Sequence, residues 1–193
     1  MATATTSISD FKAALPYGGA RPTLFDFTVT GAPSAAVVTA NLGNMKLYCN
    51  VSAIPALTVT PIERIYFGRT VKIPGDMVFA DLTTSFINTE NYSVRNEIEK
   101  WMEFINKTVA NKSQSAADFG TGTAKLKQYQ KDGTETMIYQ FNEIWPTTIS
   151  EIALSYDTAS DIEQFDVTWA YNYYTQALGT ARPTGLSTHA IQR

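Results

Sequence analysis

The feature that most constrains this chain is a hydrophobic period of two residues, which recurs along most of its length. Successive side chains of a β-strand point to opposite faces, so alternating apolar residues predict strands that are buried on one side. The pattern is clear at residues 25–29, 45–51 and 77–87. The final run, residues 165–173, is predicted to be the longest strand, with these side chains on one face: Phe165, Val167, Trp169, Tyr171 and Tyr173.

A stretch rich in β-branched residues between Pro55 and Gly75 predicts a long, irregular hairpin. Gly68 and Arg69 interrupt its middle, where the chain is expected to turn. The sequence Pro74-Gly75-Asp76 is expected to end the hairpin, because proline cannot donate a hydrogen bond to a strand ladder.

Asp132-Gly133 is the strongest local signal in the chain, because Asp-Gly between two strand-like runs favours a type I′ hairpin turn. The flanking strands are predicted at residues 124–131 and 134–142. Trp145-Pro146 is expected to end the second strand, and residues 152–156 alternate again, as a short strand would.

One segment has the period of a helix instead. From Val94 onward the apolar residues fall three or four positions apart, with polar residues on the opposite face. Asn91 and Ser93 are both suited to cap such a helix at its N-terminus. The apolar stripe is predicted to pack the helix on a sheet, through Val94, Ile98, Trp101, Met102 and Ile105.

The chain length of 193 residues suits a single domain with a sizeable core. The fold class is predicted to be mainly β, as a β-sandwich or a partly closed antiparallel barrel with one flanking α-helix. The domain is expected to span residues 20–178. Residues 1–19, rich in Ala, Thr and Ser, and residues 179–193, which show no period, are predicted to be terminal arms.

Charged residues make up 17% of the chain, against about 25% in an average soluble domain. The hydrophobic fraction of 44% is ordinary, so uncharged polar residues replace the missing charges. Such a surface suits a protein that lies against other proteins, and equally an extracellular β-domain. The net charge of −3 argues against binding of nucleic acid that is driven by counterion release.

No group of residues forms a catalytic or metal-binding motif. With one cysteine, Cys49, and one histidine, His189, a single chain lacks the ligands of a multi-cysteine zinc site or a two-histidine metal site. Cys49 lies on the apolar side of its run and is predicted to be a buried, inert thiol. Asp118-Phe119-Gly120 matches a kinase tripeptide by chance, since the other kinase motifs are missing. The chain is expected to be no enzyme and to need no cofactor or metal.

Targeting signals are not visible in the sequence. The N-terminal residues lack a basic region followed by an apolar one, so no signal peptide is expected. No uninterrupted apolar run reaches the length of a membrane span, so no membrane partner is expected either.

Several short blocks occur in a fixed order between Arg21 and Tyr174. They are Ala20-Arg21-Pro22-Thr23-Leu24-Phe25, Cys49 with Ala53-Ile54-Pro55, residues 67–76 with Phe79 and Asp81, Trp101, Trp145-Pro146-Thr147, residues 165–168 and Tyr171-Asn172-Tyr173. In this order and spacing the chain resembles the major tail tube proteins of contractile-tailed, myovirus-type bacteriophages. The block at residues 67–76 is the most similar to that family.

The resemblance implies a structural virion protein of the phage tail, assembled in the cytoplasm of the bacterial host. In that family the sheets of neighbouring subunits join into hexameric rings, and the rings stack into a hollow tube inside a contractile sheath. The partners implied are further copies of the chain, the tail sheath protein, the tape measure protein and the baseplate hub. DNA is expected to pass through the lumen during ejection without specific binding.

Two expectations follow for the surfaces of such a tube. Residues 65–76 are apolar yet interrupted by Gly and Pro, so they are candidates for contact between stacked rings, through Ile65, Tyr66, Phe67, Arg69, Val71, Lys72, Ile73 and Asp76. The alternative is an ordinary hairpin folded on its own sandwich. A lumen that lets DNA slide is expected to carry more Asp and Glu than Lys and Arg.

Three other functions remain open at this point. A tube protein of a type VI secretion system or of a phage-tail-like bacteriocin has the same architecture. A ligand-binding β-barrel needs a pocket lined by the aromatic strand. An enzyme is disfavoured by the single histidine, the single cysteine and the missing motifs.

Overall fold

The structure is a computed structural model that describes residues 7–15, 18–33, 42–110, 112–113, 121–157 and 161–179. The strands are β1 (Phe25–Val29), β2 (Cys49–Ser52), β3 (Leu57–Tyr66), β4 (Arg69–Phe79), β5 (Leu82–Ile87), β6 (Asn106–Lys107), β7 (Lys112–Ser113), β8 (Gly122–Tyr129), β9 (Glu135–Ile149), β10 (Gln164–Ala170) and β11 (Tyr173–Leu178). The α-helices within these ranges are α1 (Ile8–Ala14), α2 (Met45–Tyr48) and α3 (Ser93–Ile105).

Strand β9 connects two antiparallel sheets. Its first part lies in a sheet of order β1-β8-β9-β11, and its last part lies in a sheet of order β9-β10-β5-β2. Between the two parts, Glu143 has a positive φ of 55°, which marks the bend. The sheets pack face to face and do not close into a barrel. The mainly β fold class with a flanking helix is therefore confirmed.

The core between the sheets is dominated by aromatic rings. The ring of Trp169 lies 5.8 Å from that of Phe27, on the opposite sheet, and 5.8 Å from that of Trp101, on α3. The indole Nε1 of Trp169 donates a hydrogen bond of 2.8 Å to the Thr84 hydroxyl, so this buried polar pair is satisfied. Other fully buried core residues are Leu42, Met45, Leu82, Phe86, Phe141, Ile144, Phe165 and Val167.

Helix α3 covers one side of this core, at the place that its apolar stripe predicts. Val94, Ile98 and Trp101 are buried, and Met102 and Ile105 are half-buried. The N-cap position differs from the expectation. It is Tyr92, in the left-handed conformation with φ 51°, which makes no side-chain cap, while the Asn91 side chain accepts a hydrogen bond from the Ser93 N–H at 3.2 Å.

Two of the predicted strands are divided differently in the structure. Of residues 45–51, the first four form helix α2, with Met45 buried and Leu47 exposed, and only Cys49 onward is extended. Such short apolar runs do not distinguish a helical turn from a strand. Of residues 77–87, the first three end β4, and β5 begins at Leu82.

The prolines expected to stop strands lie inside them. Pro74 is part of β4, opposite Pro61 in β3, and an isolated two-stranded hairpin has outward-facing N–H positions where proline is tolerated. Pro146 lies within β9, where that strand is the edge of the second sheet. The expectations that Pro74-Gly75-Asp76 and Trp145-Pro146 end their strands are both wrong.

The C-terminal strands also differ from the pattern. Residues 152–156 form no strand, and Leu154 and Tyr156 are exposed. The run at residues 165–173 is broken after Ala170, so β10 and β11 are separate, and β9, with 15 residues, is longer than either. The break shifts the phase, so Tyr174 is buried and Tyr173 is exposed.

The type I′ turn expected at Asp132-Gly133 occurs instead at the tip of the β3–β4 hairpin. At Asp132-Gly133 only the glycine has a positive φ, and the Gly133 N–H donates to the Gln130 carbonyl at 3.0 Å. This is a three-residue loop, a type I turn followed by a left-handed glycine. The hairpin is present, but its turn is not type I′. Both central residues have positive φ in the β3–β4 turn, at Phe67 and Gly68.

The N-terminal segment contains an unexpected helix, α1. Ser7 and Asp10 form a reciprocal capping box at its start, and the side chains of Ile8 and Phe11 are exposed. The C-terminal arm at residues 180–193, with His189, lies outside the described residues, as does the tripeptide Asp118-Phe119-Gly120.

Candidate assembly surfaces

The hairpin β3–β4 is the most unusual surface of the molecule. Its strands pair with each other and form a sheet of their own, and every residue in them is exposed except Gly75 and Phe79, which are half-buried. Ten residues of strand extend about 33 Å. A soluble monomer rarely exposes a continuous apolar surface of this size. The large apolar side chains involved are Leu57, Val59, Ile62, Ile65, Tyr66, Phe67, Val71, Ile73, Met77 and Val78.

The two faces of this hairpin differ in charge. One face carries the cross-strand pairs Ile62 with Ile73, Arg64 with Val71, and Tyr66 with Arg69. The other face carries the pairs Pro61 with Pro74, Glu63 with Lys72, and Ile65 with Thr70. On the second face the Lys72 Nζ lies 3.2 Å from the Glu63 Oε1, so those charges neutralise each other. The first face, which we call the arginine face, therefore presents two guanidinium groups among apolar side chains.

The tip of the hairpin holds an aromatic side chain in a strained position. Phe67 has φ 47° and its side chain is 89% exposed. A type I′ turn needs positive φ at both central residues and favours Asn or Gly there, so phenylalanine costs of order 1–3 kcal/mol. The ring of Phe67 packs edge-on against Tyr66, with 4.5 Å between ring centroids. The turn thus holds a large apolar group at the exposed tip of the hairpin.

The base of the hairpin is anchored to the sandwich by an aromatic cluster. The Tyr171 hydroxyl donates a hydrogen bond of 2.7 Å to the Ala80 carbonyl. The ring of Phe79 lies 6.1 Å from that of Tyr171 and 5.4 Å from that of Tyr174. Burial raises the pKa of Tyr171 well above its usual value, so this hydrogen-bond donor keeps its proton at neutral pH.

The residues that the sequence predicted for contact between rings lie together on this hairpin. They occupy the end of β3, the turn and most of β4: Ile65, Tyr66, Phe67, Arg69, Val71, Lys72, Ile73 and Asp76. Their role in stacking stays a prediction. The sequence prediction missed the apolar residues nearer the base, such as Leu57, Val59 and Met77. Val59 lies in the β-branched run beginning at Thr58, whereas Met77 was assigned to the next strand because the hairpin was expected to end at Pro74-Gly75-Asp76.

A second surface, which we call the acidic segment, lies between β9 and β10 in residues 151–157 and 161–163, most of which are exposed. It contains four carboxylates and no Lys or Arg: Glu151, Asp157, Asp161 and Glu163. Leu154 is 79% exposed, and Tyr156 and Ile162 also face solvent. The sequence prediction took part of this segment for a strand, which concealed its apolar and acidic surface.

The outer face of the first sheet carries a network of charged and polar side chains. The Tyr129 hydroxyl donates to the Asp26 carboxylate at 2.6 Å, and the Lys127 Nζ lies 2.7 Å from the Glu135 Oε1. The hydrogen bond to Glu135 raises the pKa of Lys127, and burial, followed by the Asp26 carboxylate, raises that of Tyr129. The charged groups of this face are therefore held in contacts within the subunit.

Within the described ranges, neither a metal site nor a reactive thiol is formed. Among the described residues no three or more His, Cys, Asp or Glu side chains lie in an arrangement that holds a metal ion. Burial raises the pKa of the Cys49 thiol to about 12, so it is a poor nucleophile at neutral pH. In the described part of the chain, no helix has the length and hydrophobicity needed to cross a bilayer.

A cleft beside β1 is smaller than a typical ligand pocket, and a larger, open hollow of about 480 Å³ lies along helix α3, away from the aromatic strand that the ligand-binding alternative needs. The volume of the cleft is about 220 Å³, and it is lined by residues that include Pro22, Phe25, Ser52, Ile54 and Tyr139. Ligand pockets usually measure about 300–1,000 Å³. The aromatic side chains of β10 point into the filled core instead of lining a cavity.

Comparisons of sequence point to one family. The family model described as phage tail tube protein matches residues 14–177. Tail tube protein gp19 of Enterobacteria phage T4 is 28% identical over 161 residues, which cover 80% of this chain and 90% of the phage T4 protein. The tail tube protein of Serratia phage KSP90 is 23% identical over 160 residues, which cover 82% of this chain and 90% of that protein.

Solved structures of contractile injection systems share the fold. A chain of the PVC sheath-tube complex, from an extracellular contractile injection system in the extended state, superposes with a TM-score of 0.60 at 17% identity, covering 90% of this chain and 99% of its own. A chain of the anti-feeding prophage cap superposes with a TM-score of 0.62 at 17% identity, covering 92% and 99%. The resemblance seen in the sequence is confirmed, because the family model spans most of the chain. This chain belongs to the phage tail tube protein family.

Proposed function

We propose that this chain is the structural subunit of the tail tube of a contractile bacteriophage tail. Copies of the chain form hexameric rings, and the rings stack into a hollow tube that conducts the tape measure protein and then the genome. The observation that carries this proposal is the hairpin β3–β4, whose apolar side chains are exposed in a single chain. Family membership supplies the class of assembly that covers them.

Lateral contacts within a ring involve the open sheet edges. In the first sheet β1 pairs with β8 alone and β11 pairs with β9 alone, among the strands that the structure describes. Each therefore presents one row of backbone N–H and C=O groups, and an unpaired edge of this kind recruits another strand. Joining the edges of neighbouring copies closes a ring and removes the edges.

Contacts between rings involve the hairpin, through the block at residues 65–76. Burying one large apolar side chain contributes about 1.5–3 kcal/mol. Several such side chains per subunit outweigh the strain at Phe67 once they are covered by the next ring. A hairpin folded on its own sandwich would already have its apolar face buried, and this one is exposed on both faces.

The remaining partners follow from the same assembly. The sheath protein surrounds the tube, the baseplate hub starts it, and the tape measure protein and DNA occupy its lumen in turn. The lumen wall carries no excess of Lys and Arg, so DNA slides without being held. The role requires no catalytic residue, cofactor or metal.

A tube in a secretion system or a bacteriocin is the second candidate, favoured by the shared fold of the injection-system chains. The identity to phage tail tube proteins is higher, at 28%, than the 17% identity to the injection-system chains. The phage tail is therefore the preferred assignment.

Negative-stain electron microscopy of the purified chain, with and without purified baseplates, tests the proposal. Rings or hollow rods are expected, and baseplates are expected to shorten the delay before rods form. The matched variant replaces residues 65–70 by Asn-Gly, so that this two-residue turn connects Arg64 to Val71. Arg64 and Val71 already face each other in the hairpin, on the same face as the pair Tyr66 and Arg69, so the strand register is kept.

The shortened variant is expected to stay folded and to form rings that do not stack. Circular dichroism and thermal unfolding check the fold. A wild-type chain that stays monomeric at high concentration, even with baseplates, would contradict the proposed function. Normal rods from the shortened variant would contradict the role of the hairpin.

A further inference from the structure

The hairpin and the acidic segment leave the second sheet from opposite ends. The register of β5 and β10 pairs Ile87 with Gln164 at one end and Leu82 with Trp169 at the other. The acidic segment runs into β10 at its Gln164 end, whereas the hairpin connects to β5 at its Leu82 end. Five residue steps of strand place these two ends about 17 Å apart. The two surfaces are therefore attached at opposite ends of this sheet.

These two surfaces are complementary in charge. The arginine face of the hairpin presents Arg64 and Arg69, and the acidic segment presents the exposed carboxylates of Asp157 and Asp161. None of these four side chains takes part in an ion pair among the described residues. Both surfaces also expose apolar side chains between the charges, so each has the composition of an uncovered interface.

We propose that the arginine face of the hairpin of one copy docks on the acidic segment of a second copy in the adjacent ring. This inference rests on the proposed function and names the two surfaces that meet. Arg64 and Arg69 lie against Asp157 and Asp161, and the exposed rings at the hairpin tip pack against Leu154 and Tyr156. A carboxylate matches the planar donor fork of arginine, which gives the contact its geometry.

The position of the two surfaces gives the contact a direction. Because the two surfaces are different and leave the second sheet at opposite ends, each copy uses its hairpin on one neighbour and its acidic segment on another. A head-to-tail contact of this kind repeats without closing along its axis, which is the requirement for a growing tube. Two hairpins would bring arginines together and two acidic segments would bring carboxylates together, so like charges disfavour reversed stacking.

Charge reversal tests the pairing. The hairpin variant carries Arg64→Glu and Arg69→Glu, and the segment variant carries Asp157→Arg and Asp161→Arg. Each variant alone is expected to lose at least about tenfold in sedimentable polymer, because its reversed surface meets like charge on every neighbour. An equimolar mixture of the two is expected to recover polymer, because each reversed surface then finds its opposite on the other variant.

The recovery on mixing also shows that both variants are folded. The matched control reverses two exposed carboxylates that lie outside both surfaces, with Glu90→Arg and Glu103→Arg. This control is expected to polymerise within about twofold of the wild-type chain, since substitutions of exposed side chains away from a contact contribute little.

Three results would overturn the pairing. The first is a normal amount of polymer from either reversed variant alone. The second is a mixture that forms as little polymer as each variant does alone. The third is a segment variant that polymerises normally but no longer binds purified sheath protein. The last result would assign the acidic segment to the sheath. In all three cases the wild-type chain still forms tubes, so the proposed function survives. A wild-type chain that forms no polymer would overturn both.

Discussion

At the scale of single residues, the junction of Trp101, Trp169 and Gly122 holds the helix on the sheets. Trp101 is fully buried, and its ring lies 5.8 Å from that of Trp169. A Cβ atom on Gly122 would come within 2.9 Å of the Trp101 ring, so glycine is needed there for the close approach of strand and helix. The contact joins helix α3 to both sheets at one point.

Replacing this buried ring is expected to destabilise the subunit strongly. Trp101→Ala removes its contacts and leaves a cavity, at a cost of about 3–5 kcal/mol. Chemical denaturation of the two proteins measures the difference in the free energy of unfolding. Glu103→Ala, on the exposed side of the same helix, is the control and is expected to cost less than about 0.5 kcal/mol. A loss below about 1 kcal/mol for Trp101→Ala would contradict the packing.

Alkaline pH is expected to destabilise the subunit through its half-buried tyrosines. Burial raises the pKa values of Tyr129, Tyr139 and Tyr171 in the folded protein, above the unfolded value near 10. The folded state therefore holds these protons more tightly. The resulting stabilisation is complete below a pH of about 10 and is lost as the pH rises from there through the folded-state pKa values.

Urea unfolding across this range measures the effect. The contribution of these tyrosines to the free energy of unfolding is expected to be constant up to a pH of about 9 and to fall above a pH of about 10. Tyr139→Phe removes one titrating group and is expected to make the decline shallower. Tyr156→Phe, at a fully exposed tyrosine, is the control and is expected to leave the slope unchanged. Equal slopes for the two variants would contradict this account.

At the scale of elements, the sequence pattern located strands better than it located their ends. The period at Phe25 and Phe27 predicted β1, and the stripe from Val94 predicted α3, because one face of each is buried against the core. Pro146 does not end β9, since the strand is an edge there. Between Trp169 and Tyr174 the buried positions shift from odd to even residue numbers. The sequence around this point does not indicate the shift, because it depends on which sheet each strand joins.

The hairpin shows the same limit for a candidate site. Its existence could be predicted from the interrupted β-branched run, but its tip lies at Phe67 and Gly68, one residue before the expected Gly68 and Arg69. The separation of charge between its faces could not be predicted, because the register of Arg64 and Arg69 depends on the turn type. The acidic segment was missed because the alternating apolar residues at 152–156 imitate a strand, and these residues pair with no other strand that the structure describes.

The strained tip of the hairpin offers a test that separates folding from assembly. Phe67→Asn places at this position a residue that tolerates positive φ, so the hairpin is expected to fold at least as well. The exposed ring is lost, and the critical concentration for tube growth is expected to rise about ten- to hundredfold, which corresponds to one large apolar side chain left unburied.

Turbidity and electron microscopy over a range of concentrations measure this change. Phe67→Tyr keeps both the ring and the strain, so it is the matched control and is expected to assemble as the wild-type chain does. Tubes that form from Phe67→Asn at the wild-type concentration would show that the tip is not covered during stacking.

At the scale of the whole molecule, the low fraction of charged residues and the uncovered apolar surfaces have a common explanation in the proposed tube. Charged residues are few, at 17%, and uncharged polar side chains replace them on faces that neighbouring copies cover in the proposed tube. Among the charges that remain, two arginines lie on one face of the hairpin and four carboxylates lie on the acidic segment. In the proposed stacking, charge orients the contacts between copies, whereas apolar burial supplies most of their stability.

The net charge of the subunit also determines how strongly the proposed tube is expected to bind DNA. Every subunit adds a net charge of −3, and on the outer face of the first sheet Lys127 is already paired with Glu135. A wall of this kind releases few counterions from a phosphate backbone, so its affinity for duplex DNA is expected to be low and nearly independent of salt between about 50 and 200 mM. Co-sedimentation of labelled duplex DNA with purified tubes across that range measures both quantities. Retention of DNA that falls steeply with salt, or an inner surface with more Lys and Arg than Asp and Glu in an assembled tube, would show that the wall grips its cargo instead of letting it slide.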